Sequence, residues 1–120
     1  MKLFINKSRL ISFNPENFMR SAGYAHIVDR LENKDSYVRR LSSNHYPRFH
    51  VYIKEGRDQE NRLLAVISLH LDQKQASYAG NARHSAEYDG AVVNNEIERL
   101  KIALKKYIVN SQASQTDLFD

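Results

Sequence analysis

The chain contains no cysteine, which excludes disulfide bonds, thiolate zinc sites and cysteine nucleophiles. It also lacks an apolar run long enough to cross a bilayer, because the longest run, Leu63 to Leu71, is interrupted by Ser68 and has the length of a strand. The N-terminal residues MKLFINKSRL lack the uninterrupted apolar stretch and the small-residue cleavage site of a secretory signal. We therefore expect a cytoplasmic protein, and the missing cysteines are consistent with a reducing compartment.

Basic residues are missing from the C-terminal end. Residues 109–120 contain Asp117 and Asp120 but no Lys or Arg, so the rest of the chain holds all 18 basic and 12 of the 14 acidic side chains, a net charge of +6. At 120 residues, 42% hydrophobic and 27% charged, the chain suits one globular domain. A basic body attracts polyanions, most commonly nucleic acid. The alternative is a soluble surface with a positive bias.

Two segments show the helical spacing of apolar residues. The first begins at Asn14, which can cap the helix, followed by Pro15 at its first position and Glu16 near the positive end of its dipole. Gly23 disfavours this helix unless another segment packs closely there. Its apolar positions extend to about residue 32 and are Phe18, Ala22, Ala25, Val28 and Leu31. A second helix is predicted over residues 91–108, with one face made of Val93, Ile97, Leu100, Leu104 and Tyr107.

Alternating apolar and polar residues predict the strands. Residues 48–54 and 63–72 alternate and are separated by a short polar loop, which is typical of an antiparallel hairpin. Residues 2–5 and 36–41 are each predicted to form a short strand. The expected fold class is α+β, with a small antiparallel sheet, made of the hairpin plus one or two short strands, packed by two helices. Residues 1–108 are expected to form this domain and residues 109–120 a flexible tail.

The two faces of the predicted hairpin differ in character. The apolar face, expected beneath the helices, carries Phe49, Val51, Ile53, Leu63, Ile67, Leu69 and Leu71. The other face carries Arg48, His50, Tyr52, Lys54, Ser68, His70 and Asp72. Cations beside an aromatic ring on a sheet are common in nucleic-acid-binding proteins, because the cations meet phosphates and the ring stacks on a base. An equally favoured alternative is a face that is merely solvated or is covered by the long loop. Leu64 and Val66, which lie on this face, indicate partial burial.

Neighbouring segments extend this candidate nucleic-acid surface. Arg39 and Arg40 are expected near the polar face, and the long polar segment 73–90 can fold over it. Several phosphate contacts would make binding strongly salt dependent. The residues predicted to contact nucleic acid are Arg39, Arg40, Arg48, Tyr52, Lys74 and Arg83.

The chain ends in SQASQTDLFD, where Leu118 and Phe119 follow a polar segment that has no core of its own. Such a pair suits a peptide that becomes ordered on a partner and buries two anchors there. Residues 115–119, QTDLF, resemble the peptide with which bacterial replication and repair proteins bind the sliding clamp, whose pattern is Gln, any residue, Ser or Asp, Leu, Phe. The alternative is that Phe119 folds back onto the domain.

The resemblance assigns expected roles within the tail. It implies that Gln115 makes polar contacts in a small subsite, that Asp117 fills the position of Ser or Asp, and that Leu118 and Phe119 enter a hydrophobic cleft. Thr116 departs from the Leu that is often found at the second position, which predicts weaker binding.

A catalytic alternative rests on histidines and carboxylates. His50 and His70 lie on strands predicted to pair, Asp72 follows on the same side of its strand, and His84 lies in the loop HSAEYDG. Together they could bind a divalent metal, or act as acid and base in phosphodiester cleavage. The chain contains no HExxH, GxxxxGK[ST] or GxSxG motif, and a single strand histidine is more often structural than a ligand. The sequence therefore favours a binding protein over an enzyme, without a metal or a cofactor.

Three segments of the body, YPRFHVYI, SLHLDQK and HSAEYDG, together resemble an uncharacterised family of small bacterial proteins, a resemblance that implies no activity or site. With the tail, the sequence predicts a bacterial DNA-replication or repair accessory protein that docks on the sliding clamp and contacts nucleic acid with its basic sheet face. The alternatives are a small metal-assisted nuclease or phosphoesterase and an adaptor whose sheet face binds protein. The enzyme alternative uses His50, His70, Asp72 and His84.

Overall fold

A computed structural model of the chain describes residues 1–10, 13–29, 34–73, 86–87, 90–107 and 119. The strands in these ranges are β1 (Lys2–Asn6), β2 (Ala25–Asp29), β3 (Lys34–Arg40), β4 (Arg48–Arg57), β5 (Leu63–Asp72) and β6 (Ala86–Glu87). The α-helices are α1 (Pro15–Ser21) and α2 (Ala91–Leu104), and short 3-10 helices cover Lys7–Arg9 and Lys105–Tyr107. Neither α-helix has the length and apolar composition that a membrane span requires.

The strands form one antiparallel sheet in the order β1-β5-β4-β3-β2, and β6 pairs with β5. The predicted hairpin is its centre, since β4 and β5 pair over their whole length, from Arg48 opposite Asp72 to Arg57 opposite Leu63. The predicted short strands at residues 2–5 and 36–41 correspond to β1 and β3. The α+β prediction is therefore confirmed, with a larger sheet than expected.

The turn between β4 and β5 is held by the Asp58 side chain. Its carboxylate accepts hydrogen bonds from the backbone N–H groups of Glu60 and Arg62, each at 2.9 Å, and from the Arg62 guanidinium at 2.8 Å. Asn61 adopts a positive φ of 63°, a conformation that Asn tolerates better than most residues. A defined turn fixes the register of the hairpin, and the register decides which side chains share a face.

The first helix is much shorter than predicted, and its second half is a strand. Asn14 caps α1 as expected, by accepting a hydrogen bond from the backbone of Asn17 at 3.0 Å. Gly23, at a φ of 96°, ends the helix: its N–H bonds to the Arg20 carbonyl, and the Tyr24 N–H bonds to the Met19 carbonyl at 2.9 Å. This is the Schellman pattern of a helix C-terminus, which favours glycine.

The residues beyond Gly23 therefore leave the helical path. Ala25 and Val28, interpreted as helical from their spacing, lie in β2 and pair with Val38 and Asp35 of β3. Leu31, the last predicted helical position, lies outside the described residues. The apolar residues from 18 to 28 have helical spacing only by coincidence. Pairing with β3 makes the residues of β2 a strand.

The core lies between one face of the sheet and the two helices. Phe18 and Met19 of α1 and the predicted apolar face of α2 pack against alternate residues of the central strands. The core residues of β4 and β5 are Phe49, Val51, Ala65, Ile67, Leu69 and Leu71, with Ile53 partly buried against them. Leu63 was expected in this core but is exposed, because it lies at the hairpin's turn end, opposite the exposed Arg57.

A buried carboxylate joins the second helix to the rest of the domain. Glu96 of α2 is only 4% exposed. It accepts hydrogen bonds from the Tyr24 hydroxyl at 2.5 Å and from Arg99 at 2.7 and 2.9 Å, while Arg99 also donates to the Ala22 carbonyl at 2.7 Å. Burial and the bond to Glu96 raise the pKa of the Tyr24 phenol well above its usual range, so the phenol remains the donor.

Glu96→Gln tests this connection. We expect a loss of about 2–3 kcal/mol in the free energy of unfolding, because Gln keeps the shape but leaves the Arg99 guanidinium without its buried counter-charge. Urea denaturation measures the change. Glu98→Gln is the matched control, since Glu98 lies on the same helix, is exposed and, in the described part of the chain, pairs with Lys101 at 3.4 Å. If the two substitutions lowered the free energy of unfolding equally, the structural role assigned to Glu96 would be wrong.

Candidate functional site on the outer sheet face

The face of the sheet that points away from the helices, here called the outer face, carries the predicted polar residues. Strand register places Arg48 opposite Asp72, His50 opposite His70 and Tyr52 opposite Ser68. On the next strand, Arg40 lies opposite Arg48. The alternation read from the sequence therefore assigns these side chains to the correct face, and the register adds which of them are neighbours.

Asp72 is the centre of a cluster on this face. Its Oδ2 atom accepts contacts from His50 Nδ1 at 3.1 Å and from Arg48 Nε at 3.2 Å, and its Oδ1 atom lies 2.8 Å from His70 Nε2. The three sequence-predicted residues His50, His70 and Asp72 are thus brought together. Their side chains are 14%, 13% and 17% exposed, so the cluster is shielded yet reachable from solvent.

The contacts assign the proton positions on the two imidazole rings. A carboxylate only accepts hydrogen bonds, so His50 Nδ1 and His70 Nε2 are the protonated nitrogens facing Asp72. In a neutral His50 ring the lone pair then lies on Nε2, which is buried and has no hydrogen-bond partner among the described residues. Asp72 thereby orients His50 as a carboxylate orients a general base.

Opposing effects act on the ionisation of Asp72. Partial burial raises the pKa of its carboxyl, but the hydrogen bonds from His50 and His70 outweigh burial and hold the pKa well below its ordinary value. The carboxylate is therefore ionised throughout the neutral range, and it supplies a fixed negative charge among three nitrogen-bearing side chains.

Aromatic rings continue the cluster along the face. The His50 ring lies 4.7 Å from the Tyr52 ring and 4.9 Å from the His70 ring, and the Tyr52 and His70 rings are nearly parallel at 6.1 Å. Tyr52 also lines a cavity of about 490 Å³ together with Asp35, Ile53, Ser68 and the exposed Lys54. This cavity combines an aromatic ring and a hydroxyl group with one positive and one negative side chain.

A second cavity, of about 660 Å³, lies at the other end of the same strands. Its lining is basic and apolar: Gly23, Ala25, Ile27, Val38, Arg39, Arg40, His45 and Arg48. Arg40 and His45 are exposed, and neither forms an ion pair with a described residue. The Arg48 guanidinium is stacked 4.7 Å from the centre of the Tyr46 ring, which fixes its position at the rim.

Arg39 does not belong to the outer face, contrary to expectation. It lies opposite Phe49 in the register, so its side chain is directed to the face packed by the helices, where its Nη1 atom is 3.6 Å from Glu96 Oε1. Its backbone neighbour Arg40 points the opposite way because successive strand residues alternate. The expected pair of adjacent arginines is thus divided between the two faces.

The remaining predicted site residues are only partly described. His84, Lys74, Arg83, Gln115, Asp117 and Leu118 lie outside the described residues. Phe119 is described: it forms an isolated antiparallel bridge with Ile5 of β1 and packs, half-buried, against the core. The Lys101 ammonium lies 5.6 Å from the centre of its ring.

Sequence reasoning missed the contact of Arg48 with Asp72, and the parts played by Tyr46 and His45. Two histidines and an aspartate of a hairpin could be placed on one face from their spacing, but their contacts depend on register. The polar residues of the 58–62 turn were the available signal, since they limit the pairings that the hairpin can adopt.

Comparison of the chain with protein-family models, with curated proteins and with solved structures gave no match in any of the three. The resemblances of the tail and of the body to known families therefore stay predictions. The site is interpreted from its own geometry.

Asp72→Asn tests the electrostatic balance of the cluster. A carboxyl whose pKa is depressed on folding stabilises the protein above its unfolded pKa, near 3.8, and this stabilisation is lost as pH falls below that value. We expect the substitution to lower the free energy of unfolding by about 2 kcal/mol at neutral pH and by less at pH 3. Urea denaturation across pH, in buffer containing a chelator, measures both. Glu60→Gln, at an exposed position, is the control. If Asp72→Asn lowered the free energy of unfolding by the same amount at both pH values, the stabilising role of the Asp72 charge would be wrong.

Proposed function

We propose that this protein is an accessory factor of bacterial DNA replication or repair, which contacts nucleic acid with its outer face and docks on the sliding clamp through its C-terminal residues. The observation that carries the nucleic-acid part is the juxtaposition of Arg40 and Arg48 at a basic cavity on the face that also presents Tyr52. Replication and repair come from the resemblance of the tail.

Phosphate contacts would come first from the basic cavity. Arg40 is exposed and offers a guanidinium fork to a phosphate without losing an ion pair to a described residue. Arg48 is bound to Asp72 and stacked on Tyr46, so it is a pre-positioned rather than a freely moving cation. The cavity accommodates a backbone group between these two arginines and the exposed His45.

Base contacts would come from the second cavity of the same face. Tyr52 lines it beside Lys54, and base–aromatic stacking contributes about 1–3 kcal/mol per base. An unpaired base can reach a ring on a sheet surface, whereas a base inside a duplex is already stacked. The arrangement therefore favours a single strand that crosses β4, with its phosphates at either side of the histidine cluster.

Arg40→Ala tests the phosphate contact. Binding of a fluorescent single-stranded DNA, followed by anisotropy, should weaken severalfold, and the slope of log affinity against log salt should fall by about 1. Arg20→Ala is the control, because Arg20 is also an exposed arginine but lies on α1, which packs against the opposite face, where it pairs with Glu16 at 3.4 Å. A loss of affinity that is the same for both variants would indicate only general charge attraction and would contradict a site at Arg40.

Docking on the clamp requires Phe119 to exchange one contact for another. Phe119 now lies against β1 and beneath Lys101, so part of its apolar surface is already covered. One bridge and a half-buried ring are a small contact compared with the burial of two anchors in a cleft. Once docked, the tether would hold the outer face at a high local concentration beside DNA, which makes a weak contact effective.

The tail hypothesis predicts that removing residues 115–120 abolishes binding to a bacterial sliding clamp, measured by calorimetry. The peptide of residues 111–120 should bind more tightly than the full chain, since it has no contact with Ile5 to give up. Lys101→Ala in the full chain should reduce this difference in affinity, because it removes the ammonium group that lies over the Phe119 ring. If the shortened protein keeps the affinity of the full chain, the clamp proposal is wrong.

A second candidate function, metal-assisted cleavage of phosphodiesters, is favoured by the meeting of His50, His70 and Asp72 around one carboxylate. Three of its four predicted residues are in contact, and the fourth, His84, lies outside the described residues. This candidate depends on whether the cluster holds a metal ion.

A further inference from the structure

The outer face brings three metal-type ligands to one point. His50 and His70 are directly opposite each other in the β4–β5 register, and Asp72 lies two residues further along the same face. One ligand atom from each side chain lies within 4.8 Å of the other two. All three ligands lie on paired strands, so no loop has to become ordered to assemble the site.

We propose that His50, His70 and Asp72 bind one divalent transition-metal ion, with Zn²⁺ as the ion that this donor set fits. Imidazole nitrogen and carboxylate oxygen suit Zn²⁺ and its neighbours, whereas Mg²⁺ and Ca²⁺ prefer oxygen ligands throughout. The proposal stands independently of DNA binding by the arginines, and it is the condition on which metal-assisted cleavage depends.

The distances within the cluster are close to those of a metal site. Zinc bonds of about 2.0–2.2 Å place neighbouring ligand atoms of a tetrahedral site about 3.4 Å apart. The nitrogen atoms of His50 and His70 that face Asp72 now lie 3.1 and 2.8 Å from its oxygens. A displacement of several tenths of an ångström would open the cluster for an ion.

Binding also requires a change in which nitrogen of each ring carries a proton. Each imidazole now directs an N–H group towards Asp72, and a metal needs a lone pair there. An imidazole supplies that lone pair when its proton is on the other ring nitrogen. The Asp72 carboxylate is the negative ligand.

Three protein ligands leave at least one coordination position for another molecule. Structural zinc sites are usually closed by four protein ligands, whereas three ligands and an open position are typical of sites that bind water or a substrate oxygen. The side chains of the cluster are partly exposed, so this position can be reached from solvent. Water and the oxygen of a phosphate group are the ligands that fit it.

Arg48 opposes the metal. Its Nε atom lies 3.2 Å from the same Asp72 oxygen that contacts His50, so it competes for the carboxylate and repels a cation placed there. The guanidinium is also stacked on the Tyr46 ring, and this contact can hold it when the carboxylate turns to a metal. Removing this charge should therefore strengthen metal binding, an effect opposite to that expected for a phosphate contact.

Calorimetric titration of ZnCl₂ into the chelator-treated full chain, without nucleic acid, tests the proposal. We expect one zinc ion per chain. His70→Ala should lower the affinity by at least the ~10–100-fold that loss of an outer-shell partner costs, and Arg48→Gln should raise it severalfold. If the wild-type chain binds no zinc, or if His70→Ala binds it equally well, the proposal is wrong.

His26→Ala is the matched control. His26 also lies near two carboxylates, but its Nδ1 faces Glu16 at 3.3 Å and its Nε2 faces Asp35 at 3.2 Å, so these groups do not converge on one ion. It should bind zinc like the wild-type chain. NMR spectra of the imidazole nitrogens provide an independent reading that needs no variant: zinc should shift the signals of His50 and His70 and leave those of His26, and the reverse pattern would overturn the assignment.

Discussion

The full-length pairing of β4 with β5 is the constraint on which the rest of the structure depends. Its register sets Phe49, Val51, Leu69 and Leu71 towards the helices and, in the same step, sets the polar residues between them towards the outer face. A slip of one residue would move every side chain of a strand to the other face. The core and the candidate site are therefore specified by the same strand register.

Each face of the sheet has its own carboxylate centre, and the two differ in accessibility. Glu96, on the helix side, is almost completely buried and binds Tyr24 and Arg99, which suits a permanent structural connection. Asp72, on the outer face, is partly exposed and contacts two imidazoles and one arginine. Groups that can change protonation or ligands there can do so without disturbing the core, which is the property expected of a functional cluster.

The proposed activities use different parts of the molecule and place different demands on it. Nucleic-acid binding requires only that Arg40, His45 and Tyr52 stay accessible. Metal binding requires the ligand atoms of the histidine cluster to be placed within a few tenths of an ångström. Phe119 forms its bridge with β1, and β5 lies between β1 and β4 in the sheet. A partner that took the tail would therefore leave the outer face open to nucleic acid, so that tethering and binding are compatible.

Local sequence by itself determined the strands of the hairpin, the faces of their side chains, the start of α1 at Asn14 and the apolar face of α2, because these follow from periodicity and capping among near neighbours. It did not determine where α1 ends, since a helical apolar pattern continued past Gly23 into a segment that pairs with β3. Only the tertiary structure decided that Arg39 joins Glu96, and that Arg48 and His50 of β4 contact Asp72 of β5. The physical reason is that these contacts join residues far apart in the chain, whose separation is set by strand register and helix packing rather than by the residues beside them.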